Sequence, residues 1–308
     1  MESIEKVVID EAAQYPPPLR AWLVTGVLTF AFIDRQILNL LVGPIQQDLN
    51  LSDTEVSLLQ GLAFVSTYIL LSIPIGRLVD TRSRISILAG GVAFWSAATA
   101  CCGIAKSFGG LFVARAGVGL GEATLTPASW SLLADYFPPE RRTLPFSIFL
   151  TGPYIGAGIA MIAGGFLMES LTDRGPLELP VIGVIAAWQA TFIAVALPGF
   201  LLAALVMLIA EPARKGLVTS APVSARLIDV WEWVKLHKRI YIALMFGVPC
   251  ITLMLYGLQA WVPTYLIRVH GMSIGNAGAQ YGLIALISGS AGVLSGPLVG
   301  GALRRLGY

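Results

Sequence analysis

Charge is what this sequence is short of. Only 12% of its 308 residues are Asp, Glu, Lys or Arg, against about 25% in an ordinary soluble domain. Hydrophobic residues make up 56% and the mean hydropathy is +0.77, so there is too little polar surface to wet a globular fold. The shortage is also patterned. No acidic or basic residue occurs in 56–76, 85–105, 143–168, 179–210, 240–267 or 271–303. Each of these stretches reaches the ~20 residues a helix needs to cross the hydrocarbon of a bilayer. Soluble enzymes, secreted disulfide scaffolds and nucleic-acid-binding domains are therefore excluded as main readings. A net charge of +2 offers no general attraction to nucleic acid either.

Cysteine and histidine are scarce too. Cys101, Cys102 and Cys250 all fall inside apolar stretches and form no CxxC pair, so they read as packing residues. His237 and His270 are far from each other and from any metal-ligand pattern. HExxH and phosphate-cradling loops are missing. A membrane enzyme carries little weight on these grounds, and no cofactor or metal is expected. The opening segment, MESIEKVVIDEAAQYPPP, is acidic and lacks a basic n-region. The first span is thus expected to serve as its own insertion signal.

Two further spans are present but interrupted by charge. Residues 21–47 are broken by Asp34 and Arg35, and 107–134 by Arg115 and Glu122. Counting both gives an all-α polytopic membrane protein with eight transmembrane helices near 20–42, 56–79, 85–105, 109–133, 144–168, 184–210, 240–263 and 278–302. The domain plan is a tail over 1–19, a six-helix bundle over 20–210, a polar linker over 211–239, and an incomplete second bundle over 240–308. With this plan fifteen Lys and Arg residues fall on one side and only Lys106, Arg174 and Arg268 on the other. The rule that cytoplasmic loops carry the excess of Lys and Arg puts both termini in the cytoplasm of a cell (inner or plasma) membrane. In the linker, Leu227, Trp231 and Val234 recur at helical spacing beside Arg226, Lys235 and Lys238. That pattern suits a helix in the headgroup layer, or a solvated helix that merely ties two bundles together.

Proline and glycine lie within the spans: Pro74, Pro127, Pro153, Pro198, Pro249 and Pro297, with small residues four apart at Gly117/Gly121, Gly152/Gly156 and Gly292/Gly296/Gly300. Small residues let helix backbones approach, and proline permits bending where neighbours satisfy the freed carbonyl. Such a bundle can rock, although both residue types are common in membrane helices.

The charges inside the membrane are the functional signal. Each costs ~2.5–3.5 kcal/mol to insert at a helix centre. Arg115 and Glu122 are seven residues apart, almost two turns, which puts them on one helix face about 10 Å apart in height. Asp34 falls at a depth between them if the first and fourth helices are neighbours. Arg35 projects about 100° away from Asp34. One reading is structural: paired charges lock two helices together, neutral as a set. The other is a water-accessible site in which a carboxylate changes protonation as a cavity opens to either side, since low dielectric raises a carboxyl pKa and a nearby arginine lowers it. On the second reading Asp34 and Glu122 carry protons. Arg115 is then the counter-ion or the docking point for an anionic headgroup, with Arg35 the other guanidinium available.

The loop Gly76-Arg-Leu-Val-Asp80-Thr-Arg82-Ser-Arg84 resembles the GxxxD-R-x-G-R-R signature of the major facilitator superfamily, with Thr81, Ser83 and Ile85 departing from it. Phe32-Ile-Asp-Arg-Gln-Ile-Leu-Asn-Leu-Leu41, Leu51-Ser-Asp-Thr-Glu-Val-Ser-Leu-Leu59, Arg115-Ala-Gly-Val-Gly-Leu-Gly-Glu122-Ala-Thr-Leu-Thr-Pro127 and Ser131-Leu-Leu-Ala-Asp-Tyr-Phe-Pro138 together resemble its Spinster-like branch. The resemblance implies a secondary transporter that alternates access between two six-helix halves. It implies proton coupling at Asp34 and Glu122, carries the helix-four arginine onto Arg115, and makes Gly76, Asp80, Arg82 and Arg84 a cytoplasmic latch loop. It implies a substrate among lysophospholipids, sphingolipid phosphates or sugars. The partners are then the bilayer, protons and a small organic or amphipathic solute, and not nucleic acid. Superfamily members have twelve helices where this chain offers eight. The chain is thus expected to be a fragment, a truncated remnant that does not transport, or a half-bundle that assembles with a second chain. An organic-anion or sugar transporter of a neighbouring branch is the alternative activity.

Overall fold

The computed structural model describes residues 18–139, 142–175, 177–179, 183–214 and 227–306. Most of the expected N-terminal tail and the linker stretch 215–226 lie outside them. α1 (Pro18–Leu40) is followed by two short helices, α2 (Val42–Leu49) and α3 (Asp53–Gln60), and then by α4 (Leu62–Thr81). α3 begins at a capping box in which Ser52 and Glu55 satisfy each other's backbone N–H. Ser83 and Ser107 accept the backbone N–H groups that start α5 (Arg84–Cys102) and α6 (Phe108–Glu122). α7 (Leu125–Tyr136) and α8 (Thr143–Arg174) follow. An antiparallel pair of strands, β1 (Leu177–Leu179) and β2 (Gly183–Ile185), joins α8 to α9 (Ala187–Met207), with Leu177 opposite Ile185. The chain continues through α10 (Leu227–Leu236), α11 (Lys238–His270) and α12 (Ile274–Ile284). A π-helical turn, Ala285–Gly289, then leads into α13 (Ser290–Arg305).

Among the described residues, seven helical stretches are long and apolar enough to cross a membrane, and the fourth expected span, 109–133, is not among them. It is divided into α6 and α7, of 15 and 12 residues, at Ala123 and Thr124. The cause is Pro127 in the first turn of α7. It has no N–H to give the Ala123 carbonyl, and its ring crowds that carbonyl. Both joining residues keep right-handed helical dihedrals, so the path still runs as one crossing. The sixth span begins at Ala187 rather than 184 because the residues before it pair as β2. The eighth span is longer than expected, since α12, the π turn and α13 follow one another without a break.

The packing inverts that of a soluble protein. α8 buries Gly152, Gly156, Ala157, Gly164 and Gly165, while α4 turns Ile69, Leu70 and Ile73 outward. Small residues inside and large apolar ones outside suit a bundle whose solvent is lipid. The main helix contacts are α1 with α8, α5 with α9, α5 and α4 with α6, and α8 with α12. Two of them depend on glycine. A Cβ on Gly156 would stand 2.2 Å from the Thr29 carbonyl oxygen of α1, and one on Gly119 would stand 2.2 Å from that of Phe64 in α4. The Gly292/Gly296/Gly300 stripe, by contrast, meets no neighbour within 4 Å among the described residues.

The buried side chains form two apolar clusters, one containing Phe30, Val92, Trp95, Val118 and Phe149, the other Ile37, Leu41, Cys102, Leu111 and Phe192. Along α1 the boundary falls at residues 33–36, along α5 at Thr99, and along α6 at Arg115. A polar layer thus divides the core.

The end of the bundle carrying the resemblance's loop signature is tied by arginine. Arg84 is fully buried. It pairs with Asp135 at the end of α7 and with Glu211 beyond α9 at 3.0 Å, and donates to the Ser131 hydroxyl and the Pro212 carbonyl. Arg214 covers the last carbonyls of α4, reaching Val79 at 2.7 Å and Arg82 at 2.6 Å, and Arg142 reaches Ala134 and Phe137 at the end of α7. These are cations at helix C-termini, where the dipole favours them. Asp80 and Arg82 are exposed.

Glu211 gives this cluster a pH signature. Partial burial pushes its carboxyl up, but donation from the Ser83 hydroxyl, the Arg84 N–H and the Arg84 guanidinium outweighs that and holds it below the ordinary value. The stability it contributes is present above the unfolded carboxyl pKa of about 4.3 and is lost as pH falls through the lower folded value. Thermal unfolding of the detergent-solubilised chain should show a melting temperature that falls on acidification below about pH 4.5. In Glu211→Gln that part of the fall should be absent.

Candidate functional site

The polar layer is built from α1, α5 and α6. α1 supplies Asp34 and Arg35 on successive positions, and α6 supplies Arg115 and Glu122 almost two turns apart. Asp34 and Glu122 are fully buried and Arg115 is 1% exposed. α1 and α6 are not close backbone neighbours: α1 lies chiefly on α8, and α6 on α4 and α5. Their charges therefore meet across the interior of the bundle through the length of the arginine side chains.

The pairing differs from the one the sequence suggested. Glu122 forms its ion pair with Arg35, through Oε2 and a terminal guanidinium nitrogen. Arg115 instead donates to the main-chain carbonyl of Asp34 at 3.4 Å. The 100° offset of Arg35 from Asp34 on α1 is what sends the two neighbours to different partners. Asp34 turns toward α5, where the Thr99 hydroxyl donates to its Oδ2 at 3.3 Å. Trp95, one turn earlier, also faces it, with the indole N–H beyond hydrogen-bond range.

Arg35 is held in an aromatic frame. Its guanidinium carbon stands 4.6 Å from the ring centre of Phe32, 4.3 Å from Phe64 and 5.9 Å from Tyr68. Arg115 approaches Phe64 from 6.0 Å. One ring thus lies near both guanidinium groups, and cation–π attraction compensates part of their desolvation. The Tyr68 hydroxyl reaches Thr126 at 3.1 Å. Four polar atoms in the layer, Asp34 Oδ1, Glu122 Oε1, Arg35 Nε and Arg115 Nε, are buried without a protein hydrogen-bond partner. Buried polar atoms are rarely left so. The layer therefore has capacity for protons, water or a polar ligand beyond what its own residues use.

α11 closes over one side of this layer. Gln36 donates to the Gln259 side chain at 2.8 Å, Asn39 to the Gln259 carbonyl at 3.3 Å, and Gln60 to the Ala260 carbonyl at 3.4 Å. Nearer the end of α11, Arg268 binds Asp53 through both carboxylate oxygens, at 2.8 and 3.1 Å, and Gln46 at 2.6 Å. Charge alone did not reveal the carboxamides. Their signal was an uncharged one: Gln36, Asn39, Gln60 and Gln259 are amide side chains inside apolar spans. The aromatic frame was partly visible too, since Phe32 precedes Arg35 by one helical turn and Phe64 and Tyr68 are spaced by another.

The family model described as Major Facilitator Superfamily matches residues 24–308. An MFS-type efflux pump of Mycolicibacterium smegmatis is 29% identical, over 99% of this chain and 68% of its own length. A probable galactarate/D-glucarate transporter of Bacillus subtilis is 27% identical, over 89% of this chain and 62% of its own. The crystal structure of a bacterial homologue of the human lysosomal transporter Spinster, in an inward-facing and unoccupied conformation, superposes with a TM-score of 0.78. The two chains are 29% identical, with 94% of this chain and 64% of that one covered. The chain thus spans about two thirds of the length of these three proteins.

The Arg35–Glu122 pair makes a stability prediction. Leaving one buried charge without its partner costs about 3–5 kcal/mol, whereas replacing both by apolar residues of similar size is often neutral. Arg35→Met and Glu122→Leu should each lower the melting temperature of the purified chain, and the double variant should recover most of the loss. Additive losses in that cycle would mean that the two side chains do not meet.

Proposed function

This chain belongs to the Major Facilitator Superfamily, and we propose that it is part or all of a proton-coupled secondary transporter of an anionic amphipathic or organic solute. The observation that carries the proposal is the buried layer: two carboxylates and two guanidiniums in an apolar bundle, one ion pair among them, and four polar atoms left over. Ionisable groups are kept inside membrane bundles chiefly where they serve ion, proton or substrate pathways.

In this proposal Asp34 and Glu122 carry the protons. While Glu122 is charged it holds Arg35. A proton on Glu122 removes its attraction for the guanidinium, which stays in the frame of Phe32, Phe64 and Tyr68 and becomes available to an anionic headgroup. Arg115, whose carbonyl partner on Asp34 is neutral, is the second docking cation. A proton on the carboxylate and an anion on the arginines then favour one another, which is the free-energy coupling a transporter needs. The Gly76, Asp80, Arg82 and Arg84 loop is the latch, with Arg84 anchoring it to Asp135 and Glu211.

Alternating access is supported by where the two parts of the chain touch. Among the described residues, hydrogen bonds between α11 and the preceding helices fall at Gln259, Ala260 and Arg268. The excess of basic residues at the Arg84 end marks that end as cytoplasmic. These hydrogen bonds therefore lie toward the outer side, as an inward-facing arrangement like that of the Spinster homologue would have them. Two guanidiniums in one layer also fit a small dicarboxylate, and the sugar-acid transporter among the relatives favours that second reading.

The test is substrate-driven proton flux into proteoliposomes containing the full chain and a pH-sensitive dye, with a lysophospholipid and with glucarate as probes. Flux with one probe, lowered about a hundredfold or more in Asp34→Asn or Glu122→Gln, is expected if each acts as a proton-transfer group. Flux unchanged in the double variant would defeat the assignment of the carboxylates. A folded chain with no flux for either probe would make it a remnant or a half-bundle waiting for its partner.

A further inference from the structure

The helix that links the two parts of the chain presents an apolar and basic surface with little protein to cover it. The chief contact of α10 is with α11, across a corner at His237 whose φ of −104° and ψ of 25° leave the helical region. The corner is braced. The Trp233 indole packs on the His237 imidazole at 4.3 Å and edge-on against Tyr241 at 5.7 Å, and His237 Nδ1 bonds the Trp233 carbonyl at 3.0 Å. α10 is therefore fixed to the start of α11 and does not trail from it. Just beyond the corner α11 exposes Ile240, Ile242 and Leu244, side chains suited to acyl chains.

α10 itself exposes Ile228, Trp231, Trp233 and Leu236, each by more than half of its surface. Helical spacing places Ile228 and Trp231 on one face. Such a face in water is a liability that soluble linkers avoid. Lys235, Lys238 and Arg239 are exposed at the same corner, and the Lys235 ammonium lies 5.6 Å from the centre of the Trp231 ring. Tryptophan favours the level of the glycerol backbone, and lysine and arginine the level of the phosphates. Trp231 and Lys235 share one face a turn apart, and the four-carbon stem of the lysine lets its ammonium reach the phosphate level while the ring lies deeper.

We propose that α10 is a docking element for anionic lipid. It lies in the cytoplasmic headgroup layer with Trp231 at the acyl boundary and Lys235, Lys238 and Arg239 on the phosphates of lipids such as phosphatidylglycerol. Charge complementarity selects the ligand: between 211 and 239 the chain has six basic residues against three acidic ones, and one of those acids, Glu211, is already bound to Arg84. The proposal depends on the chain being a membrane protein and not on how the buried charges work.

The experiment reconstitutes the full chain into phosphatidylcholine vesicles in which a minor fraction of the lipid is brominated on its acyl chains. The brominated lipid is either phosphatidylglycerol or phosphatidylcholine, and the emission of Trp231 is taken as the difference between the wild-type chain and Trp231→Phe. Brominated phosphatidylglycerol should quench Trp231 more strongly than an equal fraction of brominated phosphatidylcholine, with an enrichment of the order of fivefold per basic residue engaged. That preference should disappear at high salt and in the triple variant Lys235→Gln, Lys238→Gln, Arg239→Gln. Equal quenching by both lipids would overturn the anionic selectivity. No quenching by either would place Trp231 in water or against another protein surface, and would overturn the docking as well. Quenching of the remaining tryptophans, unchanged in the triple variant, reports that the bundle is intact.

Discussion

Moving a carboxylate or a guanidinium out of water costs several kcal/mol per ion even after the surroundings relax, and this bundle holds four such groups in its interior. The rest of the architecture is consistent with managing that cost. The apolar core is split into two clusters, with Asp34, Arg35 and Arg115 at their boundary and Glu122 beside the first. One ion pair, one main-chain acceptor, one hydroxyl and three aromatic rings take up part of the hydrogen-bonding and electrostatic demand. The close approach of α6 to α4 at Gly119 sets Phe64 where it can face both guanidiniums. A larger residue there would push the ring away from the charges it covers.

Arginine is used here in two ways. At the end of the bundle Arg84, Arg142 and Arg214 have well-supplied surroundings: carboxylates, hydroxyls and helix-end carbonyls receive their N–H groups. These bonds all lie within the first six-helix part and the start of the linker, so that end of it is stitched together internally. In the middle, Arg35 and Arg115 each retain an unsatisfied nitrogen. The contrast separates a structural arginine from one with unused capacity, and it places that capacity in the same layer as the carboxylates. The hydrogen bonds from Gln36, Asn39 and Gln60 to α11 begin one residue from Arg35. A change at the ion pair is therefore close to the hydrogen bonds that join α11 to the first part of the chain.

The spans, their order and the four buried charges were legible from hydropathy and charge alone, because lipid forbids unpaired backbone and charge so strictly. The pairing was not. Helical geometry placed Arg115 and Glu122 on one face and left Arg35 off the line from Asp34, which made Arg115 the natural counter-ion. The three-dimensional packing set α1 against α8, and Arg35 reached Glu122 across the gap. The break at Ala123 was readable in Pro127, whose effect on the carbonyl four residues earlier is local chemistry. The hairpin after α8 left no such trace, being two strands of three residues each. Carboxamide contacts to α11 depend on which helices come together, which no single-span pattern encodes.

The central claim is that the buried carboxylates exchange protons with water while remaining within the bundle. Infrared difference spectroscopy of the chain in lipid, taken between neutral and mildly acidic pH in H2O and in D2O, tests it directly. The account predicts a carboxylic-acid carbonyl band that grows on acidification, shifts promptly in D2O, and disappears in Glu122→Gln or Asp34→Asn. A spectrum in which neither residue contributes a band at any pH the folded chain survives would mean permanently ionised, structural charges, and would contradict the account.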